Sequence, residues 1–501
     1  MKLVTRAQMN AVDMAASTKY AIPSILLMEH AAHEVFLQIE KNWNKDTTFV
    51  FVCGSGNNGG DGFALARLMH LKGYTCAIHF IGNKERLTKD AKINYDTCVA
   101  LNVTFIEEND YTSFDVIVDC IFGTGLCRDI EGKYKAIIES INVSNKYVIS
   151  IDIPSGIDSD SAKVLGVAIQ ANITYTMQAG KIGLYVCPGR NYAGKVVVLD
   201  IFIPQILVDE TPSNTYLIEK DEIKAWLPAR KVQSNKGSYG KVLCIGGSEG
   251  MSGAIIMAAK SALSAGCGLL TCAIPKSIYA SLMHHLLETM CLLLDEKEGH
   301  IASTSIDLLI EKISNYTCVL IGCGIGRSED VSFILEKLLA KDVPLIIDAD
   351  GLQAFKKHMY NRKNTILTPH LKEFADLMDV SIKDVVDNTL QYVDAFTKMY
   401  PDITLVLKSE TTIIAQNDVR YINTYGNNGL ATGGSGDVLA GLITGLYAQN
   451  KDCLKAAVVG VFLHAFSADV LASKKSVYSI VPSDIITCVE EVLFKLSEGS
   501  L

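Results

Sequence analysis

Short runs of apolar residues alternate along the chain with longer segments whose apolar residues recur at helical spacing. Each short run is continuously apolar rather than alternating between apolar and polar positions, which is typical of strands buried on both faces. The predicted strands include Thr48–Cys53, Val116–Cys120, Tyr147–Ile151, Lys241–Ile245, Val319–Ile321, Leu345–Ile347 and Thr404–Leu407. Strands that alternate with helices predict parallel sheets covered by helices, so the predicted fold class is α/β.

This alternation weakens over residues 207–237, which contain two prolines and many charged residues but little strand pattern. Such a segment is typical of a boundary between domains. We therefore predict two α/β domains, residues 1–210 and 211–501, each folded around its own sheet.

The composition is that of an ordinary globular chain of 501 residues, since 49% are hydrophobic and 20% are charged; this excludes a disordered protein. Lys and Arg total 46 against 55 Asp and Glu, giving a net charge of −9, and an acidic chain repels nucleic-acid phosphates. The 14 cysteines include no CxxC pair, and most of them lie in apolar strand-like runs, so we interpret those as buried apolar residues. We find no signal-peptide core, and no apolar stretch approaching the ~20 residues of a membrane helix. We expect a cytoplasmic homo-oligomer that binds neither nucleic acid nor membranes.

A glycine-rich loop, GSGNNGGDG, follows the first of the predicted strands, and a helix is predicted after it over residues 61–71. Gly54, Gly56 and Gly59 match the GxGxxG pattern of dinucleotide-binding folds. The next predicted strand, residues 76–81, lacks the acidic residue that would bind a ribose, which disfavours a hydride-transfer enzyme. The additional Asn and Asp side chains of the loop suit a hard cation or ligand hydroxyl groups.

Further polar side chains lie at the ends of other predicted strands in the first domain. Asp119 precedes a GTG sequence, Asp152 and Ser155 lie in IDIPSGID, and Lys181 follows another apolar run. The carboxyl ends of parallel strands form the ligand crevice of open α/β sheets, so we predict a site there. A single strand-end Asp also serves as a helix cap, and Lys181 also fits a solvated lysine.

The second domain contains the loop GNNGLATGGSGDVLAGLITG, in which Gly433, Gly434 and Gly436 precede Asp437 and a helix predicted from Val438. Backbone N–H groups at a helix start stabilise a transferring phosphoryl group, and a neighbouring carboxylate accepts a hydroxyl proton. The loop therefore predicts a phosphoryl-transfer site. The alternative is a glycine loop whose aspartate only caps the helix.

Other segments of the second domain place polar residues beside predicted strands. IIDADGL ends a strand with Asp348 and Asp350, LTPHLKE places His370 just past a strand, and LVLKSETT ends a strand with Lys408. Lys408 is positioned like a contact to a nucleotide phosphate, whereas His370 also fits a structural loop histidine. We interpret His464, in an apolar helix, as a core residue.

Four motifs of the first domain, GSGNNGGDGFALAR, VDCIFGTGL, IDIPSGID and YAGKVVVLDIFIP, resemble the YjeF N-terminal family of NAD(P)H-hydrate epimerases over residues 1–205. The glycine loops of the second domain resemble the ribokinase-like NAD(P)H-hydrate dehydratases over residues 225–495. The fused order resembles bifunctional NAD(P)H-hydrate repair enzymes. It implies a Rossmann-like three-layer α/β/α domain followed by a ribokinase-like α/β domain. One departure is that the family's GPGLG reads Gly322-Cys-Gly-Ile-Gly326 here.

The resemblance also implies site residues in both domains. In the first domain, it assigns hydrate binding to Asn57, Asn58, Gly59, Gly60, Asp61, Gly123, Thr124, Gly125, Leu126, Cys127, Arg128, Asp129 and Asp152. It assigns a K⁺ ion to Asn58, Asp119 and Ser155. In the second domain, it assigns hydrate binding to Gly253, Ala254, Gly324, His370 and Asp437. It assigns nucleotide binding to Lys408, Ser409, Glu410, Thr411, Thr412 and Gly436.

The implied substrates are NADHX and NADPHX, in which water has added across the C5–C6 double bond of the nicotinamide ring, giving R and S forms at C6. The first domain would interconvert these forms, with Asp152 handling protons and Lys181 assisting. The second would phosphorylate the S form with ADP or ATP, of which ADP is favoured, using Asp437 as general base, and then eliminate phosphate. Mg²⁺ is expected on the nucleotide phosphates. A vitamin-precursor kinase, a hydride-transfer enzyme and a non-catalytic first domain remain the alternatives.

Overall fold

The computed structural model describes residues 1–499. The chain divides into two compact units, Met1–Tyr216 and Leu217–Leu501, so the division falls a few residues after the predicted boundary at 210/211. The intervening segment stays with the first unit because it contacts the start of the chain. Ser213 Oγ donates a hydrogen bond to the Leu3 carbonyl at 2.7 Å, and Lys2 pairs with Tyr216 in an antiparallel bridge.

The first unit is built from short strands and from helices that connect them. Its strands are β1 (Leu3–Val4), β2 (Thr48–Cys53), β3 (Thr75–Phe80), β4 (Thr104–Ile106), β5 (Val116–Cys120), β6 (Tyr147–Ile151), β7 (Ile173–Met177), β8 (Gly180–Lys181) and β9 (Lys195–Leu199). Its helices are α1 (Arg6–Lys19), α2 (Ser24–Asn42), α3 (Asn57–Leu71), α4 (Lys89–Ala100), α5 (Gly132–Val143), α6 (Arg190–Ala193) and α7 (Gln205–Asp209).

Seven of these strands form one parallel sheet in the order β4-β3-β2-β5-β6-β7-β9. Each face of the sheet has its own apolar core: Phe49 and Phe51 of β2 pack into one, and Val50 and Val52 into the other. Burial on both faces explains why the strand sequences are continuously apolar. The strand order reverses between β2 and β5, and such a reversal opens a ligand crevice at the carboxyl ends of the strands.

The second unit repeats this construction with a larger sheet. Strand β10 (Thr215–Leu217) contains the point at which the two units divide. The later strands are β11 (Lys241–Ile245), β12 (Leu269–Pro275), β13 (Met290–Leu294), β14 (Glu296–Lys297), β15 (His300–Ile301), β16 (Cys318–Ile321), β17 (Leu345–Ile347), β18 (Thr365–Leu367), β19 (Ile403–Leu407), β20 (Thr412–Gln416) and β21 (Val419–Asn423). The helices are α8 (Lys220–Trp226), α9 (Ser252–Ser264), α10 (Tyr279–Met283), α11 (Ile306–Ile313), α12 (Glu329–Leu339), α13 (Asp350–Lys356), α14 (Leu371–Met378), α15 (Ile382–Asp387), α16 (Thr389–Met399), α17 (Ser435–Asn450), α18 (Cys453–Ala472) and α19 (Pro482–Glu498).

The large sheet has the order β10-β21-β20-β19-β18-β17-β16-β11-β12-β13. The pairs from β19 to β13 are parallel, whereas β19–β20 and β20–β21 are antiparallel. The order reverses between β11 and β16, which places a second ligand crevice at their carboxyl ends. The predicted α/β class with parallel sheets is confirmed.

The helix α18 corrects the expectation that no apolar stretch approaches the length of a membrane span. It has 20 residues and is apolar enough to satisfy that test by length and composition. However, 67% of its most apolar window is buried inside the fold. A mostly buried apolar helix is what the core of a globular domain requires.

Candidate active sites

The first unit contains a cavity of about 810 Å³ at the reversal of its strand order. Of the residues assigned to hydrate binding, those lining it are Asn57, Asn58, Asp61, Gly123, Thr124, Gly125, Leu126, Cys127, Arg128 and Asp152. Gly59, Gly60 and Asp129 are described by the structure but do not line the cavity. A Cβ on Gly60 would meet Met28 of α2 and Ala91 of α4, so this glycine lets three helices pack closely.

The start of α3 forms one wall of the cavity. The helix begins at Asn57 rather than at the predicted Asp61, so NNGGD is its first turn, where helix N–H groups are open to a ligand. Asn58 is 7% exposed, and neither atom of its amide has a hydrogen-bond partner among residues 1–499. Because an unpaired buried amide is costly, a bound ligand or ion is the natural partner for Asn58.

Asp119, at the end of β5, is fully buried and accepts several hydrogen bonds. Its carboxylate accepts from Ser155 Oγ at 2.6 Å, from the Ser155 N–H at 2.9 Å and from Ser150 Oγ at 2.8 Å. Burial raises the pKa of Asp119, and the hydrogen bonds from Ser155 and Ser150 act against that rise. The three residues assigned to K⁺ thus offer the unpaired amide oxygen of Asn58, the carboxylate of Asp119 and the hydroxyl group of Ser155. Oxygen atoms of these kinds suit a hard cation.

Lys181 and Asp152 form an ion pair at the cavity wall, with Nζ and Oδ1 2.7 Å apart. The Lys181 side chain is 1% exposed, which rules out a solvated lysine. Its ammonium group also donates to Thr176 Oγ1 at 2.9 Å and to the Met177 carbonyl at 2.8 Å. Asp152 adopts a left-handed backbone conformation with φ of +67°, which is unfavourable for a residue with a Cβ and is often found at functional sites.

Asp13 on α1 is a cavity residue that the sequence motifs did not reveal. Burial raises its pKa to about 6, and the nearby charges of Lys181 and Asp152 act in opposite directions on it. Burial also raises the pKa of Asp61, and Asp152 and Asp13 raise it further. The sequence does contain one indication of this role. Asp13 lies on the same helical face as the buried Met9, and a carboxylate on the apolar face of a helix is costly to bury unless it has a function or a partner.

In the second unit, residues that the sequence predicts for the phosphoryl-transfer site lie around Asp348, which follows the carboxyl end of β17. Asp348 Oδ1 accepts from Lys408 Nζ at 2.8 Å and from Thr368 Oγ1 at 2.7 Å. Burial alone would lower the pKa of Lys408, but the carboxylates of Asp348 and Glu373 outweigh it and raise that pKa. A Cβ on Gly436 would lie 3.2 Å from Lys408 Nζ, so the glycine loop reaches the same point.

The helix after that loop, α17, begins at Ser435 rather than at the predicted Val438. Asp437 therefore lies in the first turn, after Gly434 with its φ of +97°. Burial raises the pKa of Asp437 to about 6, with a further contribution from Asp348. A carboxylate with a pKa near neutrality, beside the N–H groups of a helix start, is suited to accept a proton during phosphoryl transfer.

The other residues assigned to hydrate binding flank this site. Gly253 and Ala254 lie in the first turn of α9, and a Cβ on Gly324 would lie 2.9 Å from the Ala254 methyl group. His370 caps α14: its Nδ1 accepts from the N–H groups of Lys372 and Glu373, at 3.1 and 3.2 Å.

The tight connection from β19 to β20 contains Ser409, Glu410 and Thr411 just past Lys408, and Thr412 is the first residue of β20. Ser409 Oγ donates to the Thr411 carbonyl at 2.7 Å. The segment assigned to the nucleotide is therefore a defined turn at the edge of the site.

His464 is buried in α18, as expected of a core residue, but it also contacts the glycine loop. Its Nε2 lies 3.1 Å from Ser435 Oγ. Burial, and then the positive charge of Lys408, lower the pKa of His464 to about 4. The neutral ring thus holds the Ser435 hydroxyl group at the start of α17, a contact that the sequence did not predict.

Two family models match the chain: "YjeF-related protein N-terminus" over residues 24–183 and "NAD(P)H-hydrate dehydratase" over residues 242–490. Among solved structures, the ADP/ATP-dependent NAD(P)H-hydrate dehydratase of Bacillus subtilis, co-crystallised with ATP and Mg²⁺, is similar with a TM-score of 0.52 and 27% identity, covering 56% of this chain and 99% of that one. A ribokinase-like superfamily protein from Enterococcus faecalis is similar with a TM-score of 0.51 and 28% identity, covering 57% and 97%.

Similar proteins also span both units. The bifunctional NAD(P)H-hydrate repair enzyme of Moorella thermoacetica is 34% identical over 99% of this chain and 98% of its own length. The enzyme of the same name from Coxiella burnetii is 34% identical over 92% of this chain and 93% of its own length. The chain belongs to the family of bifunctional NAD(P)H-hydrate repair enzymes.

Proposed function

We propose that the first unit epimerises the R and S forms of NADHX and NADPHX, and that the second dehydrates the S form to NADH or NADPH at the expense of ADP or ATP. The observation that carries the second activity is the position of Asp437, in the first turn of α17 beside the Lys408–Asp348 pair. That arrangement brings a proton acceptor together with the ammonium group of Lys408 and the N–H groups of a helix start, which can stabilise the charge of a transferring phosphoryl group.

Dehydration needs a better leaving group than hydroxide. In our proposal, Asp437 accepts the proton of the C6 hydroxyl group. The oxygen of that hydroxyl group then attacks the terminal phosphoryl group of the nucleotide. With ADP as donor, the first products are AMP and the phosphorylated hydrate. The C6–O bond then breaks, phosphate leaves, and loss of a C5 proton restores the C5–C6 double bond.

In our proposal, the nucleotide binds the turn after Lys408 and the backbone at Gly436. This assignment of the nucleotide phosphates is supported by the short connection between β19 and β20, which brings all five assigned residues together. They are Lys408, Ser409, Glu410, Thr411 and Thr412. Mg²⁺ bound to those phosphates would neutralise their charge. Gly253, Ala254, Gly324 and His370 would contact the hydrate across the crevice. We favour ADP over ATP as the donor.

Epimerisation inverts C6, so one bond to C6 must break and re-form on the opposite face. In our proposal the C6–N1 bond breaks: the hydroxyl group loses its proton and becomes a carbonyl group while the bonding pair goes to N1 and its conjugated carboxamide. Ring closure on the opposite face returns the proton, so one group can act first as base and then as acid. We assign that role to Asp152, because Lys181 lies 2.7 Å away and compensates its charge. The residues of the two loops that line the cavity, Asn57, Asn58, Asp61 and Gly123–Arg128, would hold the hydrate, and Asn58, Asp119 and Ser155 would hold K⁺. A cytoplasmic location and a homo-oligomeric state remain predictions.

The test uses the full chain and follows the absorbance of the reduced nicotinamide as it reappears. A mixture of R and S hydrates is supplied with Mg²⁺, K⁺ and either ADP or ATP. We expect the unaltered protein to recover both forms, Asp152→Asn to stop at the S fraction apart from spontaneous epimerisation, and Asp437→Asn to lose recovery by about 100-fold or more.

Three outcomes would contradict the proposal. Rapid conversion of both forms by Asp152→Asn would remove the epimerase assignment. Unchanged recovery by Asp437→Asn would remove the general base. A phosphorylated hydrate that accumulates without elimination would identify a kinase instead.

A further inference from the structure

Cys323 lies at the point where the strand order of the second unit reverses, in the loop that follows β16. It is fully buried. The glycines on either side have φ values of +128° and +63°, a region that residues with a Cβ rarely adopt. The Cys323 carbonyl oxygen accepts from the Gly247 N–H at 2.9 Å, so the loops after β11 and β16 fix its backbone together.

The side chain of Cys323 meets two carboxylates of the site. Its Sγ and one oxygen each of Asp348 and Asp437 lie within 4.8 Å of one another. Burial raises the pKa of the Cys323 thiol, and the charges of Asp437 and Asp348 raise it further. The thiol therefore stays protonated and has one hydrogen to donate.

Asp437 is the acceptor that we assign to that hydrogen. One oxygen of its carboxylate lies within 4.8 Å of the thiol sulfur, and the thiol acts to lower the pKa of Asp437. Asp348, by contrast, already accepts from Lys408 and Thr368. A hydrogen bond to a carboxylate stabilises its charged form and fixes its orientation.

We propose that Cys323 is a positioning residue for dehydration, which holds the Asp437 carboxylate ionised and oriented toward the C6 hydroxyl group of the hydrate by donating its S–H. This inference rests on the proposed role of Asp437 as general base. It concerns a position at which the family motif, as noted above, ordinarily has proline, which offers no such donor.

The charged groups near Asp437 determine in which direction its pKa changes when the Cys323 thiol is removed. Burial, Asp348 and Asp350 oppose its ionisation, whereas Lys408 and the Cys323 thiol favour it. Glu373 and His464 face Lys408 from α14 and α18 and are unchanged by substitution of Cys323. Loss of the thiol donor therefore raises the pKa of Asp437, and the base becomes protonated at a higher pH.

The experiment measures kcat for dehydration of the S hydrate against pH, at saturating nucleotide, in four full-length proteins. Cys323→Ala should move the acidic limb to higher pH, with a rate about threefold to tenfold lower than that of the unaltered protein near pH 6 and a small change near pH 8. Cys323→Ser keeps a donor and should restore the limb. Cys318→Ala, which removes another fully buried thiol in the preceding strand, is the matched control and should leave the limb in place.

An acidic limb that stays in place in Cys323→Ala, or one that Cys323→Ser does not restore, would overturn the inference. The S–H stretching band provides a second measurement that does not depend on the stability of a Cys323 variant. In the infrared difference spectrum between the unaltered protein and Asp437→Asn, one S–H band should move to higher frequency, and the lack of such a shift would also overturn it. If Asp437→Asn instead dehydrates normally, the proposed function fails first.

Discussion

Lys181 carries its positive charge into a position where only 1% of its side chain is exposed. Such a charge is tolerated when ion pairing and hydrogen bonds replace water, and Asp152, Thr176 and the Met177 carbonyl provide both. The cavity also holds the carboxyl groups of Asp13 and Asp61. Burial and the charge of Asp152 raise the pKa values of Asp13 and Asp61, so these two carboxyl groups keep their protons to a higher pH than solvated carboxyl groups do.

Asp13 is expected to exchange protons with the reacting hydrate. Burial raises its pKa to about 6, so it is protonated below this pH and ionised above it. If its ionised form assists Asp152, the epimerisation rate should fall as the pH drops through about 6. Asp13→Asn should slow epimerisation about tenfold or more and flatten this limb, as measured by the rate at which the pure R hydrate becomes available for dehydration.

Dehydration of the pure S hydrate should be unaffected by Asp13→Asn. The control is Asp96→Asn on the exposed face of α4, outside the cavity, which should leave both rates unchanged. A rate and pH profile for Asp13→Asn equal to those of the unaltered protein would exclude a role for Asp13 in proton transfer.

At the scale of elements, the glycines of the first loop have different tasks. A Cβ on Gly54 would clash with the Ile121 carbonyl beyond β5, and a Cβ on Gly59 would clash with the Gly54 carbonyl. A Cβ on Gly56, in contrast, would meet nothing within 4 Å and would face the cavity. Two of the three glycines are therefore needed to pack the loop against the sheet, and one leaves space for a ligand.

Gly59→Ala and Gly56→Ala form a matched pair that tests this division. Gly59→Ala should lower the free energy of unfolding of the first unit by about 1–3 kcal/mol or more, because overpacking against backbone has no cheap relief. Gly56→Ala should keep its stability and instead raise KM for the R hydrate. Thermal unfolding and epimerisation kinetics measure the two effects, and equal destabilisation by both substitutions would contradict the assignment.

The same elements show what the sequence could and could not predict. Continuous apolar runs located the strands, and glycine loops after them located both crevices, because local patterns determine these features. The sequence pattern predicts later starts for α3 and α17 than the structure shows, because glycine and asparagine favour loops. Here these residues form the first helical turn. Asp13 and Cys323 were missed because only the packing of distant segments brings them to the sites.

At the scale of the whole molecule, each unit carries the residues of one site on its own sheet. The residues of the first cavity lie within Met1–Tyr216, and those around Asp437 lie within Leu217–Leu501. If epimerisation needs only the first unit and dehydration only the second, the hydrate can leave one molecule after epimerisation and be dehydrated by another. The two activities should then complement each other between separate copies of the chain.

An equimolar mixture of full-length Asp152→Asn and Asp437→Asn should therefore repair both hydrate forms. Asp152→Asn supplies the dehydratase site and Asp437→Asn the epimerase site, so recovery should pass beyond the S fraction at a rate that increases with protein concentration. Recovery of the reduced nicotinamide by absorbance measures this, with the double variant as the inactive control. A mixture that stalls at the S fraction, while each variant retains its remaining activity alone, would show that epimerised hydrate must pass between sites of a single chain.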